Sequence, residues 1–429
     1  MDNRKPINRL FGFFKGKLLK DLGITVVLQI FARLIQMVGM IHVADCLGEN
    51  NGESNEALSA AQYIQFLFTF GLDIVAVRHL AAKSVTFTEL VPKVFTLRLL
   101  IYGFSSIIWC LGLLLSDLPK NQLQLWLAAI LNLMALGMNF QWVFQGMQRM
   151  PKFSLIQAMT SIGIAIYFLL VFKRGIPVGA DLWVMGIFQT VVTVGAWIYV
   201  RNHFRVRLFS FKGVRELLGY IYEGMPNWVF GLLYNTLITF GMLSIRKLTL
   251  GGPFQNHNDS FGNLQRVAMA SQFILAFGGS VIYTRIVVWR HERDDFFLRV
   301  KLVCFAVITL GLFLCGFLHS IHNWLFPLIF PRTIYQSGAP YLSIVLFGRF
   351  LGLASGILVW SLLAYRKDWV AVKCAILPVL LSVGLHFYYV PLFGLKAASF
   401  LYIGGEMGLF LCCAMAFLIL KKEIINKSA

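Results

Sequence analysis

The stretch QFLFTFGLDIVAVRHLAA, residues 65–82, decides how this chain folds. It has the length and the apolar character of a helix that spans a lipid bilayer. It also carries three residues that such a helix rarely contains, which are Asp73, Arg78 and His79. A charged side chain inside a membrane is costly, and it needs water, a partner or a ligand. The stretch therefore predicts a membrane-spanning helix whose charges have to be satisfied within the fold.

The composition of the whole chain is that of a membrane protein. Of its 429 residues, 58% are hydrophobic, 15% aromatic and 13% charged, whereas about a quarter of a soluble domain is charged. The seven cysteines form no CxxC pair, so neither a disulfide framework nor a zinc site is predicted. The sequence also contains no phosphate-binding loop and no Ser-His-Asp set. We therefore predict that the protein is not an enzyme, binds no metal or cofactor, and works within the bilayer.

Apolar runs separated by Gly, Pro, Asn and charged residues predict an all-α integral membrane fold of twelve transmembrane helices. The spans are expected near 21–45, 58–82, 91–116, 122–146, 153–173, 179–200, 218–250, 261–289, 297–319, 338–364, 370–390 and 394–420. Basic residues are concentrated in the ends and loops of one side, most clearly in 201–215, while the loop 45–57 is acidic. Because Lys and Arg accumulate in cytoplasmic loops, both termini are predicted to be cytoplasmic. This topology accounts for the net charge of +19, so no nucleic-acid partner is predicted.

An internal repeat divides the predicted spans into two sets of six. QFLFTFGLDIVAVR at 65–78 and QFILAFGGSVIYTR at 272–285 share their Gln-Phe start, a Phe-Gly pair and a final Arg. The copies fall in spans 2 and 8, which run in the same direction, so the two lobes are predicted to be related by a parallel repeat. The predicted units are an N-lobe over 1–200, a cytoplasmic loop over 201–217 and a C-lobe over 218–429. In each copy the Gly and the Arg are seven residues apart, which places them on one face of a continuous helix.

Charged residues within the spans are the candidate site. Arginines outnumber carboxylates there, which favours an anionic cargo in a cationic cleft. The candidate substrate-binding residues are Arg33, Arg78, Arg98, Arg266, Arg285 and Arg349. Asp73 and Glu406 are the candidate coupling residues or charge partners. Two alternatives stay open, namely that Arg78 and Arg285 only contact lipid phosphates, and that Arg349 pairs with Glu406 inside one lobe.

Three stretches resemble one known family. The sequence QWVFQGMQRM, residues 141–150, resembles the Trp-x-Phe-Gln-Gly-x-Glu-x-Met signature of polysaccharide transporters. These are the Wzx-type O-antigen flippases of the multidrug, oligosaccharidyl-lipid and polysaccharide exporter superfamily. The usual acid of the signature is replaced here by Gln148. FGLDIVAVRHLA at 70–81 and VPLFGLKAASFLYIGGEMG at 390–408 extend the resemblance to most of the chain.

The resemblance implies a flippase in the bacterial inner membrane. Its cargo would be an undecaprenyl-diphosphate-linked oligosaccharide, an O-antigen, capsule or exopolysaccharide repeat unit, moved to the outer leaflet by alternating access. The implied partners are this anionic lipid-linked oligosaccharide, membrane lipid, H⁺ or Na⁺ as coupling ion, and a polysaccharide polymerase. The physical need is clear, because a diphosphate and many hydroxyls cannot cross hydrocarbon unaided. Two other functions stay open, a cation-coupled drug or metabolite antiporter of the same superfamily and a membrane polysaccharide polymerase or glycosyltransferase.

Overall fold

The structure is a computed structural model in which every regular element of the described residues is helical. It describes residues 17–47, 70–211, 214–249, 282–290, 293–329 and 333–426, with short pieces between 53 and 68 and at 260, 261 and 264. The first helices are α1 Lys17–Leu47, α2 Leu72–Ala81, α3 Phe87–Leu114, α4 Lys120–Gly137, α5 Gln141–Gly146, α6 Met150–Val171 and α7 Ala180–Phe204. The later ones are α8 Val214–Leu248, α9 Arg293–Ile329, a 3₁₀ helix Thr333–Tyr341, α10 Leu342–Ala364, α11 Asp368–Phe393 and α12 Leu395–Asn426. Residues 282–289 are helical as well.

Nine helical segments in the described part of the chain are long and apolar enough to cross a membrane. They are Ile30–Leu47, Phe87–Leu114, Lys120–Gly146, Met150–Val171, Ala180–Phe204, Asp295–Leu325, Ser337–Ala364, Asp368–Phe393 and Leu395–Asn426. Each coincides with one of the twelve predicted spans, which confirms the all-α membrane fold. Of the other three predicted spans, 218–250 falls in α8, and 58–82 ends in α2 but is described only in short pieces before residue 70, while 261–289 lies largely outside the described residues. The total of twelve therefore stays a prediction.

The outer surfaces of these helices are apolar. Large side chains such as Phe104, Phe313 and Leu380 are exposed along the middle of α3, α9 and α11. A water-soluble monomer rarely exposes contiguous apolar surface of this kind, whereas acyl chains solvate it. The chain is therefore a multi-pass membrane protein, and its polar side chains are placed mainly between the helices or at their ends.

The main helix contacts fall into two groups. In the first helix group, α1 packs along α6, α4 along α7, and α2 against α5. In the second helix group, α12 packs along α10 and α11, α9 along α10, and α8 along α11. The principal described contacts between the groups are those of α8 with α2 and α3.

The opening stretch of the sequence is not one continuous helix. Phe70 and Gly71 both have positive φ angles, 46° and 64°, and α2 begins only at Leu72. The prediction that Gly71 and Arg78 share one face of a continuous helix is therefore wrong. The physical reason is that two consecutive left-handed residues interrupt the helical path just before α2.

Candidate functional site

The two helix groups meet in a seam that is held by ion pairs. We define the seam by Phe70–His79 and Lys93 of the first group, and by Glu216–Trp228, Leu363 and Asp368 of the second. Arg78 is its central residue and is only 6% exposed. Its guanidinium group donates to Oε1 of Glu223 at 2.6 Å, to Oδ2 of Asp368 at 3.0 Å and to the Leu363 carbonyl at 3.5 Å. One side chain of α2 thus contacts α8, α10 and α11 together.

Two further basic side chains of the first group, His79 and Lys93, complete the seam. A ring nitrogen of His79 lies 2.9 Å from Oε2 of Glu223, and the other ring nitrogen contacts Ser84. Lys93 of α3 donates to Glu216 of α8 and, at 3.0 Å, to Glu89 one turn away. Among the described contacts between basic side chains and carboxylates that join the two groups, every basic side chain belongs to the first group and every carboxylate to the second.

At the end of the seam away from Arg78, the backbone of α8 lies close to the backbone just before α2. A Cβ atom on Gly224 would overlap the Phe70 carbonyl oxygen and lie 3.3 Å from the carbonyl carbon of Gly71. Phe70 stacks on Trp228, with ring centroids 5.2 Å apart. Beside them, Asn227 is 4% exposed, and neither its amide nitrogen nor its oxygen has a hydrogen-bond partner within the described part of the chain. Glycines at both positions allow α8 to close against the start of α2.

The signature stretch supports α2 from the other side. Trp142 is 1% exposed in α5, where its ring lies near Trp197 in a cluster with Phe140, Phe144 and Phe153. A Cβ on Gly146 would lie 2.7 Å from Cβ of Leu80 in α2. The signature therefore forms a packing platform that fixes the helix carrying Arg78. Gln148 lies in the turn after α5 with φ of 56°.

This packing gives a first prediction. Gly146→Ala should force α2 away from α5 and lower the free energy of unfolding by about 1–3 kcal/mol, the usual cost of overpacking. Gly195→Ala in α7 is the matched control, because a Cβ there would meet no atom of the residues that the structure describes within 4 Å. Thermal unfolding of the detergent-purified Gly146→Ala and Gly195→Ala variants measures their stability. Equal stability of the two variants would contradict the platform.

Two more candidate arginines lie inside their own helix groups. Arg98 of α3 is 3% exposed, pairs with Asp73 and donates its Nε to the Gly137 carbonyl at 2.9 Å. It therefore connects α3 with α2 and with the end of α4. The partner that Asp73 requires is thus Arg98, which lies on the following helix.

Arg349 and Glu406 lie together in the second helix group. Arg349 is 2% exposed, lies over the Tyr402 ring at 5.2 Å and interacts electrostatically with Glu406. Tyr402 donates to Glu406 at 3.2 Å, and the Tyr234 hydroxyl lies beside the same carboxylate. Gly348 and Gly352 leave room on α10 for these side chains. In this conformation Arg98 faces the interior of the first helix group, and Arg349 faces the interior of the second.

The remaining candidates are less fully described. Arg285 lies half-buried on the 282–289 helix. The backbone of Arg33 lies in α1, but its side chain is outside the described residues, and Arg266 is outside them entirely. The described His, Cys, Asp and Glu side chains include no group of three that could hold a metal ion.

Comparison with known proteins decides the family. The model of the polysaccharide biosynthesis protein family matches residues 18–267, more than half of the chain. The chain belongs to this family. Its resemblance to polysaccharide transporters is thereby confirmed at the level of the family. A search among curated proteins by sequence finds no match.

The fold of this family member is similar to that of solved MATE transporters. An outward-facing multidrug resistance MATE transporter of the MOP superfamily aligns with a TM-score of 0.69 and 13% identity, over 97% of this chain and 98% of that one. The Vibrio cholerae MATE transporter VcmN in its bent form gives 0.67 and 15%, over 96% and 97%. The eukaryotic MATE transporter AtDTX14 gives 0.65 and 16%, over 96% and 98%. At sequence identities this low, the structural similarity shows that the fold is shared.

Half of the seam in this family member was not predicted from its sequence. Lys93, Glu216 and Asp368 lie at the ends of predicted spans, where charged residues are ordinary, and Asn227 is uncharged. The signal that was available is an excess of carboxylates at the start of the second half, Glu216 and Glu223, on an otherwise basic side. Such a local excess of the opposite sign indicates a partner.

Proposed function

We propose that this protein is a flippase for a lipid-linked anionic oligosaccharide. It would carry an undecaprenyl-diphosphate-linked repeat unit across the bacterial inner membrane by alternating access. The family and the transporter fold support the class of protein, and the seam is the observation that carries the proposal. A seam held by ion pairs can open and close without unfolding either helix group, which alternating access requires.

The proposed topology places both termini and the seam at the cytoplasmic side. The helix groups then correspond to the predicted N-lobe, 1–200, and C-lobe, 218–429, joined by 201–217. A seam closed on the cytoplasmic side belongs to the outward-facing state. The cargo would enter from the inner leaflet when the seam is open, while its prenyl tail stays in the lipid.

The candidate residues take different proposed roles. We assign Arg78 to the cytoplasmic seam, and we retain Arg33, Arg266 and Arg285 as candidates for contact with the diphosphate or acidic sugars. Arg98 and Arg349 interact with the carboxylates Asp73 and Glu406, of which Glu406 is fully buried. These two carboxylates are the proposed sites at which H⁺ or Na⁺ would couple to transport, because each lies between helices of one group. A polysaccharide polymerase would receive the cargo on the far side.

Deletion of the gene tests the proposed function. We expect loss of a surface polysaccharide and accumulation of its undecaprenyl-diphosphate-linked repeat unit on the cytoplasmic face, which mass spectrometry of extracted lipids identifies. Complementation by the full chain and by Arg201→Ala, an exposed change at the end of α7, should restore export. A deletion strain with normal lipid intermediates and impaired dye efflux would instead show a drug antiporter.

A further inference from the structure

The charges of the seam are separated by helix group, and this has a consequence when the groups part. Arg78, His79 and Lys93 remain on the first group, while Glu223, Asp368 and Glu216 leave with the second. Arg78 is almost fully buried in the closed seam, and a buried charge that loses its partner is strongly unfavourable. The open state therefore needs a new anion for the first group.

The closed seam, together with Tyr283, also contains buried polar atoms that have no hydrogen-bond partner among the described residues. Both polar atoms of the Asn227 side chain, Nε of Arg78 and the Tyr283 hydroxyl are buried and make no hydrogen bond in the described structure. Asn227 is one turn from Glu223 on the same face of α8. Tyr283 lies within electrostatic reach of Arg78 and Asp368. Buried polar groups are normally satisfied, so these atoms point to a ligand that is present in another state.

The two faces of the seam differ in the chemistry that they would recognise. The first face offers a guanidinium, an imidazole and an ammonium group, which bind phosphate oxygens well. The second face offers carboxylates and the Asn227 amide, which hydrogen-bond sugar hydroxyls. A glycosyl diphosphate carries both kinds of group within one headgroup, so it can contact the two faces at the same time.

We infer that the open seam is the entry site for the diphosphate and first sugar of the cargo, and that Glu223 and Asp368 occupy the place of the phosphate when it is absent. This inference rests on the proposed function and specifies how its cargo is recognised. Arg78 exchanges carboxylate oxygens for phosphate oxygens as the seam opens. Cargo binding and seam closure therefore compete for the same guanidinium group, so the cargo shifts the population toward the open state.

Binding of short-chain probes to the purified full-length protein tests the exchange. Farnesyl diphosphate is the probe and farnesol is its uncharged control. The double variant Glu223→Gln, Asp368→Asn should bind farnesyl diphosphate about tenfold more tightly, a change of 1.4 kcal/mol, because the competing carboxylates are gone. Arg78→Ala should bind it at least about tenfold more weakly, Arg78→Lys less so, and Arg201→Ala should equal the native protein. Unchanged or weaker binding by the double variant would overturn the exchange.

Asn227→Leu separates a binding role from a structural one. The apolar side chain removes two unsatisfied polar atoms, so thermal stability should stay equal or rise. The native protein should bind farnesyl diphosphate more tightly when the probe carries one N-acetylglucosamine. The Asn227→Leu variant should lose this additional affinity. A variant that loses stability and keeps that additional affinity would show a structural role for Asn227 and overturn its part in the site.

The two proposals fail in different ways. If reconstituted protein moves lipid-linked oligosaccharide while the seam variants leave probe affinity unchanged, only the entry site is wrong. If the native protein neither binds a polyprenyl diphosphate nor moves its glycosylated form, the flippase proposal is wrong as well.

Discussion

Gly224→Ala is expected to lower export of the polysaccharide roughly 5- to 150-fold, the factor that corresponds to an overpacking cost of about 1–3 kcal/mol. The added Cβ would overlap the Phe70 carbonyl oxygen, and a backbone atom cannot move aside as a flexible side chain does. The seam could then close only with a shift of α8. Because alternating access requires both states, a seam that cannot close stops the cycle.

The control for this variant lies on the same helix. Gly219→Ala places a Cβ where no atom of a described residue lies within 4 Å, so export should remain normal. Alanine favours the helix over glycine in both variants, so a loss restricted to Gly224→Ala cannot come from a weaker α8. Surface polysaccharide in a complemented deletion strain measures the effect. Normal export by Gly224→Ala would show that closure of the seam is not part of the cycle.

Glu406→Leu is expected to cost about 3–5 kcal/mol of stability, because it leaves the Arg349 charge buried without its carboxylate. Arg349 is 2% exposed and Glu406 is fully buried, so water cannot replace the lost partner. Adding Arg349→Met removes the remaining charge and should recover most of the loss. The double variant would then fold well, yet lack the proposed coupling carboxylate.

An exposed ion pair of the same second helix group provides the comparison. Glu423 pairs with Lys367 near the end of α12 at 2.9 Å, and both side chains are exposed. Glu423→Ala should therefore cost only about 0–1 kcal/mol. Thermal unfolding of the purified proteins measures the stability of Glu406→Leu, of its double variant with Arg349→Met, and of Glu423→Ala. If Glu406→Leu is as stable as Glu423→Ala, the pairing of Arg349 with Glu406 has been assigned wrongly.

The membrane fold was predictable because lipid imposes a simple requirement on the sequence. Each span must be long and apolar, and nine of the predicted spans coincide with helices of the described residues that are long and apolar enough to cross a membrane. The electrostatic interaction of Arg349 with Glu406 was also within reach as one of two alternatives, since each is a central charge in the same predicted lobe. A buried charge of one sign requires one of the other, which narrows the choice of partner.

The seam was not predictable from local patterns. Arg78 contacts residues 145 and 290 positions away along the chain, and the period of an apolar helix does not encode such pairings. The break at Phe70–Gly71 was hidden as well, because glycine occurs within many membrane helices. Its purpose is visible only when Gly224 of the opposite group lies against it. The aromatic signature around Trp142 indicated the family, but its packing against α2 needed the structure.

The most direct test of the account is transport by a protein whose seam can be locked and released. Phe70→Cys and Trp228→Cys, in a variant without the seven native cysteines, place thiols where the two rings now stack. A short bis-methanethiosulfonate reagent joins these thiols, and a reductant separates them. In proteoliposomes with a fluorescent lipid-linked oligosaccharide, we expect the cross-linked protein to move none of it and the reduced protein to move it at the uncross-linked rate. Undiminished transport by fully cross-linked protein would contradict the alternating seam.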